Sequence, residues 1–531
     1  MSDARDHDGT QAISVSLPGA ATAEGTVRFV ERHGLGGTVQ DVSTSAAAYA
    51  SLGDTGLRVS RLGFGGYRVD DMSAGHREAL TRAIMSGVNL VDTSTNYADG
   101  ASERLVGSVI NHLVKQEEVW RDELVVLTKI GYIQGANYEQ AVAREKSDRG
   151  YPEVVKLADG LWHCMHPEFL ADQLQRSLDR LELNSIDVLL LHNPEYYLAD
   201  AARQGVSLED ARVEFYGRVQ RAFAYLEKQV AAGVLGWYGV SSNTIGSPSH
   251  DVDATSITRF IEAAEQAAPG AHHFRVVQLP LNLLEPGAVF ERNTGPDNDR
   301  TVFDVADAAN IAVLTNSPLN AASRSGLIRL AEVGERGDAV DFREQVAAVV
   351  ELEKAFREAI APSLAAPQGA PEPSTYFQWA DKLEQLGAEP LTLEQWSHMA
   401  GQVQLDVARA GRVLDHNLRG DIAQRWLSWR DRYFAEMGRL LGELRRQAAE
   451  RAARVVADVT AILDPLLPED RRSESLSRKA LWVAASTPGV TSVLNGMRAP
   501  DYVRDSLAVL EWMPHPSVRE VYSALATKDF G

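Results

Sequence analysis

Short apolar runs of strand length alternate along this chain with stretches in which apolar residues recur every three or four positions. The runs lie near residues 62, 89, 124, 186, 237, 275, 311 and 490. They are rich in Val, Ile and Leu and predict strands. Helices are predicted between them. One spans about His76 to Ser86 with Leu80, Ala83 and Ile84 on one face, and a second is capped by Ser102 with Leu105, Val106, Val109 and Ile110 inward. A third is opened by Pro167 and carries Leu170, Leu174, Leu178 and Leu181 at helical spacing. Further helices are predicted over Val219–Ala232, Ser256–Ala267, Thr301–Ala309, Ser475–Ser486 and from Pro500 to about Val509. Eight strands in alternation with helices predict an α/β fold, a (β/α)8 TIM barrel rather than an open doubly wound sheet. No G-x-G-x-x-G lies between a strand and a helix, so a Rossmann site is not indicated.

The pattern is broken at its ends and in two places within. Residues 1–48 are small and polar without a sustained period and read as an N-terminal arm. Tyr49 to Ser60 reads as an N-terminal β-hairpin turning at Gly53-Asp54-Thr55-Gly56. The barrel is expected over 49–319 and 475–516, with 517–531 as a C-terminal tail. Between the two barrel parts, 320–474 is a large all-α insertion. It holds a helical run from Phe342 to Ala359, a Pro-rich break from Ala361 to Pro373, and a long helix from about Asp421 to Leu463. In that helix Ile422, Trp426, Trp429, Tyr433, Met437, Leu440 and Leu444 recur at helical spacing, as the seam of an internal bundle would. The insertion follows the seventh strand, and a second expansion, Tyr132 to His166, follows the third. Both are expected to leave the barrel at its C-terminal face, where barrel sites lie, and to serve as a lid or substrate wall.

Composition narrows the partners. The chain has 531 residues, of which 44% are hydrophobic and 24% charged, enough to bury a sizeable core. A net charge of -20 argues against nucleic acid or an anionic membrane as the main partner. No apolar run approaches the ~18 residues that span a bilayer. One cysteine, Cys164, excludes an internal disulfide framework and suits a reducing compartment. The N-terminal residues lack the basic start and apolar centre of a signal peptide, so the cytoplasm is the expected location. The run His163-Cys164-Met165-His166 is an incomplete ligand set and reads as loop packing, so no metal is expected.

Three predicted strands end in ionisable groups. Asn89-Leu90-Val91-Asp92 ends in a carboxylate, with Tyr97 five residues on. Leu124 to Lys129 delivers an amine, and Ile186 to His192 an imidazole. Gathered at one barrel face, the four make an acid/base set. Tyrosine titrates near ~10. A neighbouring ammonium favours its phenolate, and a carboxylate fixes the ammonium in place. Tyr97 is then the acid/base, Lys129 the group that lowers its pKa, Asp92 the anchor of Lys129, and His192 the residue that orients a carbonyl oxygen.

These residues sit in motifs that resemble the aldo-keto reductase family. Leu57-Arg58-Val59-Ser60-Arg61-Leu62-Gly63-Phe64-Gly65 resembles its N-terminal signature. Val91-Asp92-Thr93-Ser94 with Asn96-Tyr97, Thr128-Lys129, and Leu191-His192-Asn193-Pro194 match its tetrad motifs in order. Gly239-Val240-Ser241-Ser242-Asn243, Gln278, Ser317-Pro318-Leu319 and Pro488-Gly489-Val490-Thr491-Ser492-Val493 continue the match. The resemblance implies an NAD(P)(H)-dependent oxidoreductase that interconverts a carbonyl and an alcohol of an aldehyde, ketone or sugar derivative. It also implies that Ser241, Ser242 or Asn243, with Gln278, hold the nicotinamide carboxamide. Gly65 and Gly66 would allow close approach. The stretch Asn316, Ser317 and Leu319, with Gly496, Arg498 and Tyr502, would meet the rest of the dinucleotide. Arg498 suits a 2′-phosphate, so NADP(H) is favoured over NAD(H). The chain departs from the family in having Asn316 where an aromatic ring usually stacks on the nicotinamide, and Tyr502 and Ser506 near the adenine. The second reading is a cofactor-binding redox sensor that docks a partner through the insertion, which also offers a surface for oligomer formation.

Overall fold

The computed structural model describes residues 16–33, 48–323, 326–334, 339–364, 372–388, 391–528 and 530. Parts of the N-terminal arm (1–15 and 34–47) and of the Pro-rich break (365–371) lie outside these described residues, as do 529 and 531 of the tail.

Eight parallel strands close into a barrel in chain order: β1 Leu62–Gly65, β2 Leu90–Asp92, β3 Val125–Ile130, β4 Ile186–His192, β5 Leu235–Ser241, β6 Phe274–Pro280, β7 Ala312–Asn316 and β8 Val490–Asn495. This is the (β/α)8 TIM barrel that the alternation predicts. Side chains alternate between the two faces of a strand, and here the alternation decides the function of each position. Leu90 precedes Asp92 on one face of β2. Val125 and Leu127 precede Lys129 on β3, and Val188 and Leu190 precede His192 on β4. Val276 precedes Gln278 on β6, and Ala312 and Leu314 precede Asn316 on β7. The apolar members of these series pack into one buried cluster with Leu494. Each strand therefore buries one or two apolar layers and then presents a polar group in the layer above. Register keeps that layer level. His192 is paired with Ser241, Ser241 with Gln278, and Gly65 with Asp92.

The opposite end is sealed by the N-terminal residues. The hairpin pairs Tyr49–Ser51 with Arg58–Ser60, and its Leu52, Leu57 and Val59 join the barrel cluster together with Ala21. The arm expected to pack loosely contains a helix, Ala23–His33, with Thr26 and Phe29 buried. Arg28 pairs with Asp122 and Glu123, and Arg32 with Glu123. Beneath the barrel, the buried Asp187 carboxylate accepts from Ala21 N, Val126 N and the Arg121 guanidinium at 2.7, 2.7 and 2.8 Å. The expected tail likewise carries a helix, Val518–Ala526, whose Val521, Tyr522 and Leu525 are buried. Ser102 is not a cap. The cap residue is Gly100, and Ser102 lies inside the helix Ala101–Lys115, buried, with its hydroxyl donating to Gly66 O at 3.0 Å. Gly66 has no room for a side chain, since a Cβ would stand 2.6 Å from Asp92 O.

The chain divides into two compact units, residues 1–319 with 477–526, and 320–476 with 527–531. Among the described residues, the regular elements of the second are helices apart from the hairpin Asn320–Ser323 with Gly326–Arg329. Its long helix, Gly420–Leu463, turns Trp426, Trp429, Tyr433, Met437, Leu440 and Leu444 into a core shared with Val349, Phe356 and Phe377. The rings of Trp429 and Tyr433 stack at 4.7 Å. The aromatic stripe is thus an internal seam. A further helix, Leu393–Asn417, opens with a capping box between Thr392 and Gln395 and supplies Ala400, Val403 and Val407 to the same core.

Candidate active site

Lys129 is the centre of the polar layer. Its side chain is fully buried, and an ammonium has three protons to place. They meet Asp92 Oδ1 at 2.6 Å, Thr93 O at 3.0 Å and the Tyr97 hydroxyl at 3.1 Å. Tyr97 accepts from Lys129 and so keeps its own proton free for another partner. Burial works against the ammonium, but Asp92 and Tyr97 together outweigh it, and the Lys129 pKa is raised. Tyr97 departs from expectation. Lys129 does pull its pKa down, yet burial raises it more, and the net shift is upward. In this cleft Tyr97 is a phenol, not a phenolate.

His192 completes the group. Its ring lies edge-on to that of Tyr97 at 5.9 Å, and Nδ1 is 3.0 Å from Ser94 Oγ. Burial, reinforced by Lys129 and His163, holds its pKa well below 6.5, so the ring is neutral. Ser94 in turn donates to Asn96 Oδ1 at 2.7 Å, and Asn96 donates to Gln134 Oε1 at 3.0 Å. The four residues expected to converge are therefore brought together.

Around them stand side chains that the motifs did not single out. Tyr132 lies edge-on to His192 at 4.7 Å, and its hydroxyl is 2.9 Å from that of Tyr196. Tyr67 is exposed and lies edge-on to Tyr97 at 5.3 Å. The expansion after β3 forms a small antiparallel sheet of Tyr132–Ile133, Val155–Ala158 and Leu161–His163. It is fastened at His163, whose Nε2 donates to His192 O at 2.7 Å. Cys164 is buried beside it, and no cluster able to hold a metal ion occurs among the described residues. Asp99 ties the Tyr97 loop to this expansion by accepting from Ala136 N at 3.2 Å. Both Ala98 and Asp99 adopt left-handed backbone, at φ 48° and 53°, a conformation that favours glycine. Ser94 shares the parity of Asp92, which is the one signal in the sequence that it too faces inward.

The positions expected to hold a cofactor divide into groups. Gln278 donates to Asp92 Oδ1 at 3.0 Å and accepts from Ser241 Oγ at 2.8 Å and Asn316 Nδ2 at 3.3 Å. Ser242 is buried with its hydroxyl 2.9 Å from Thr255, while Asn243 is exposed and its backbone N–H donates to Glu195 at 2.8 Å. Of the three residues 241 to 243, Ser241 is thus the one joined to the inner polar layer. Ser317 is exposed with φ 54°, Leu319 and Arg498 are partly exposed, and Gly496 is exposed with no atom within 4 Å of a Cβ placed there. Tyr502 is 45% exposed on the helix Pro500–Leu507, whereas Ser506 is buried and bonded to Asn495 at 2.8 Å, so it offers nothing to a ligand. A nicotinamide carboxamide needs both hydrogen-bond donors and acceptors beside it. Ser241, Gln278 and Asn316 provide them, and Asn316 Oδ1 is buried with no hydrogen-bond partner. The residues present fit the group.

A closed parallel barrel with acid/base side chains at the C-terminal ends of its strands is the architecture of TIM-barrel enzymes. The aldo/keto reductase family model matches residues 61–389, and the chain belongs to that family, whose members are generally NAD(P)-dependent oxidoreductases. Similar solved structures include an aldo-keto reductase from Bacillus halodurans in its holo form, 16% identical over 90% of this chain and 96% of the other, with a TM-score of 0.43. A glycerol dehydrogenase from Gluconobacter oxydans is 14% identical over 90% and 95%, with a TM-score of 0.45. An aldo/keto reductase from Klebsiella pneumoniae, solved with NADP and acetate, is 14% identical over 90% and 95%, with a TM-score of 0.40. No helix among the described residues is long and apolar enough to cross a membrane.

Proposed function

We propose that the protein is an NAD(P)H-dependent oxidoreductase that interconverts a small carbonyl compound and its alcohol, with Tyr97 as proton donor and acceptor. The carrying observation is the disposition of the Lys129 protons. Asp92, Thr93 O and Tyr97 take all three, which leaves the Tyr97 O–H proton directed to a further acceptor. When bound, the reduced nicotinamide supplies the hydride to the carbonyl carbon. Tyr97 gives its proton to the carbonyl oxygen, and Lys129 stabilises the phenolate that remains. Neutral His192 orients the same oxygen as its Nε2–H tautomer, with Nδ1 accepting from the Ser94 hydroxyl, which turns from Asn96 to give it. Asp92 holds Lys129 against the burial that would otherwise discharge it.

Ser241 and Gln278 hold the carboxamide end. Ser317, Leu319, Gly496 and Arg498 take the pyrophosphate and adenosine, in keeping with phosphate sites after strands seven and eight of a barrel. The guanidinium of Arg498 favours the 2′-phosphate of NADP(H). Tyr67, Tyr132 and Tyr196 wall the substrate side with aromatic edges and hydroxyls, which suits a substrate carrying both carbon faces and polar groups. Tyr97→Phe tests the reading. General acid catalysis is worth about 10²–10⁴-fold, so turnover should fall by about that factor while the dissociation constant for NADPH, measured by calorimetry, is unchanged. A variant as active as the parent would remove Tyr97 from the reaction.

A further inference from the structure

The amide side chains of the polar layer can be oriented from one fixed point. The Asp92 carboxylate only accepts, so the Gln278 atom 3.0 Å from it must be the amino group, Nε2. Gln278 Oε1 therefore faces the other way and is an acceptor. It takes the Ser241 hydroxyl at 2.8 Å and, on its remaining lone pair, the atom of Asn316 that lies 3.3 Å away. That atom must then be Nδ2. The consequence reaches the end of β7, where Asn316 is left presenting Oδ1, a buried carbonyl oxygen with no hydrogen-bond partner. A buried acceptor left unmade is destabilising, and side-chain rotation cannot relieve it without setting two acceptors against each other at Gln278.

We propose that Asn316 Oδ1 accepts a hydrogen bond from the carboxamide amino group of the nicotinamide, and that this bond takes the place of the ring contact an aromatic residue would give at this position. The inference rests on the reading of the protein as a nicotinamide-dependent oxidoreductase, and it adds a residue and a direction to it. Three observations converge. Asn316 follows Ala312 and Leu314 on the inward face of β7, so it belongs to the same polar layer as Lys129 and His192. Through Gln278 it is two hydrogen bonds from Asp92, and so adjacent to the proton donor's support. The polarity of its free end is set by the carboxylate, which makes it a site for an N–H donor and not for a carbonyl. A planar primary amide supplies such a donor, whereas an acetyl group at the same ring position does not.

The discriminating experiment compares NADPH with its 3-acetylpyridine analogue, in which a methyl group replaces the carboxamide amino group. Dissociation constants are measured by isothermal titration calorimetry on the full-length protein, on Asn316→Leu and on Asn316→Ala. The ratio of the two constants within each variant is an internal control against a general loss of folding or affinity. The full-length protein should prefer NADPH by about tenfold. In both variants the preference should fall to about twofold or less, chiefly through weaker NADPH binding. A preference unchanged in Asn316→Leu and Asn316→Ala, with both compounds still bound, overturns the role of Asn316 and leaves the oxidoreductase reading intact. Failure of the unsubstituted protein to bind either compound overturns that reading, and this inference with it.

Discussion

The Gln278 amide donates to the Asp92 carboxylate at 3.0 Å, and this one bond joins the Asp92–Lys129 pair on β2 and β3 to the hydroxyl of Ser241 on β5 and the amides of Gln278 on β6 and Asn316 on β7. Asp92 Oδ1 receives Lys129 as well, at 2.6 Å, so a single oxygen anchors both halves of the site. Changes at Asp92 should therefore disturb the proton donor and the carboxamide pocket together.

The buried ion pair gives the first expectation. Lys129 and Asp92 side chains are 0% and 5% exposed, and removing one partner strands the other. Breaking a buried pair costs about 3–5 kcal/mol. Lys129→Met should lower stability by that order in a urea titration and abolish turnover. The double variant Asp92→Asn/Lys129→Met should recover most of the stability and none of the activity. Recovery of activity in the double variant would show that the pair serves folding alone.

The second concerns pH. Tyr97 is raised by burial and must be protonated to act in carbonyl reduction, and His192 is held well below 6.5 and remains neutral. The kcat/KM for reduction should be flat across the neutral range and fall only above the ordinary tyrosine value near ~10. Alcohol oxidation needs the phenolate, so its rate should climb with pH over the same span. A decline in reduction between neutrality and mildly alkaline pH would assign the proton to another group.

Much of this arrangement is legible in the residues themselves. Apolar runs ending at Asp92, Lys129 and His192 define three strands and place their last side chains on one face, because parity along a strand is fixed. The bundle seam of Trp426, Trp429 and Tyr433 is legible for the same reason, as a helical period. What escapes is whatever depends on distant partners. The helix Ala23–His33 is anchored by Asp122 and Glu123, some ninety residues away in the chain, and its own sequence is too polar to declare itself. Tyr132 reaches His192 and Tyr196 only once the expansion after β3 has folded back. The upward shift of Tyr97 is a matter of burial, which a motif does not reveal.

Glu195 supplies a third expectation, this time about stability. It is buried between the ends of β4 and β5, accepting from Asn193 and Asn243 N, and Oε2 has no partner. Burial raises its pKa from 4.5 to about 7. The folded state thus binds a proton that the unfolded state loses first. Its contribution is fully present below 4.5 and is lost as pH rises through about 7. The loss amounts to about 3 kcal/mol. Glu195→Gln should therefore be the more stable form at pH 8 and should lose that advantage at pH 4, as read from unfolding curves at the two values. An advantage equal at both would mean that folding does not raise the Glu195 pKa.

Isotope transfer addresses hydride delivery to a carbonyl at this cleft more directly than any substitution. The protein is incubated with NADPH carrying deuterium at C4 and with a panel of aldehydes, ketones and sugars, and the products are examined by mass spectrometry. The account predicts one deuterium on the carbinol carbon of the alcohol formed, in step with cofactor oxidation, and its disappearance in Tyr97→Phe. Cofactor that binds but transfers no deuterium to any member of the panel would contradict it.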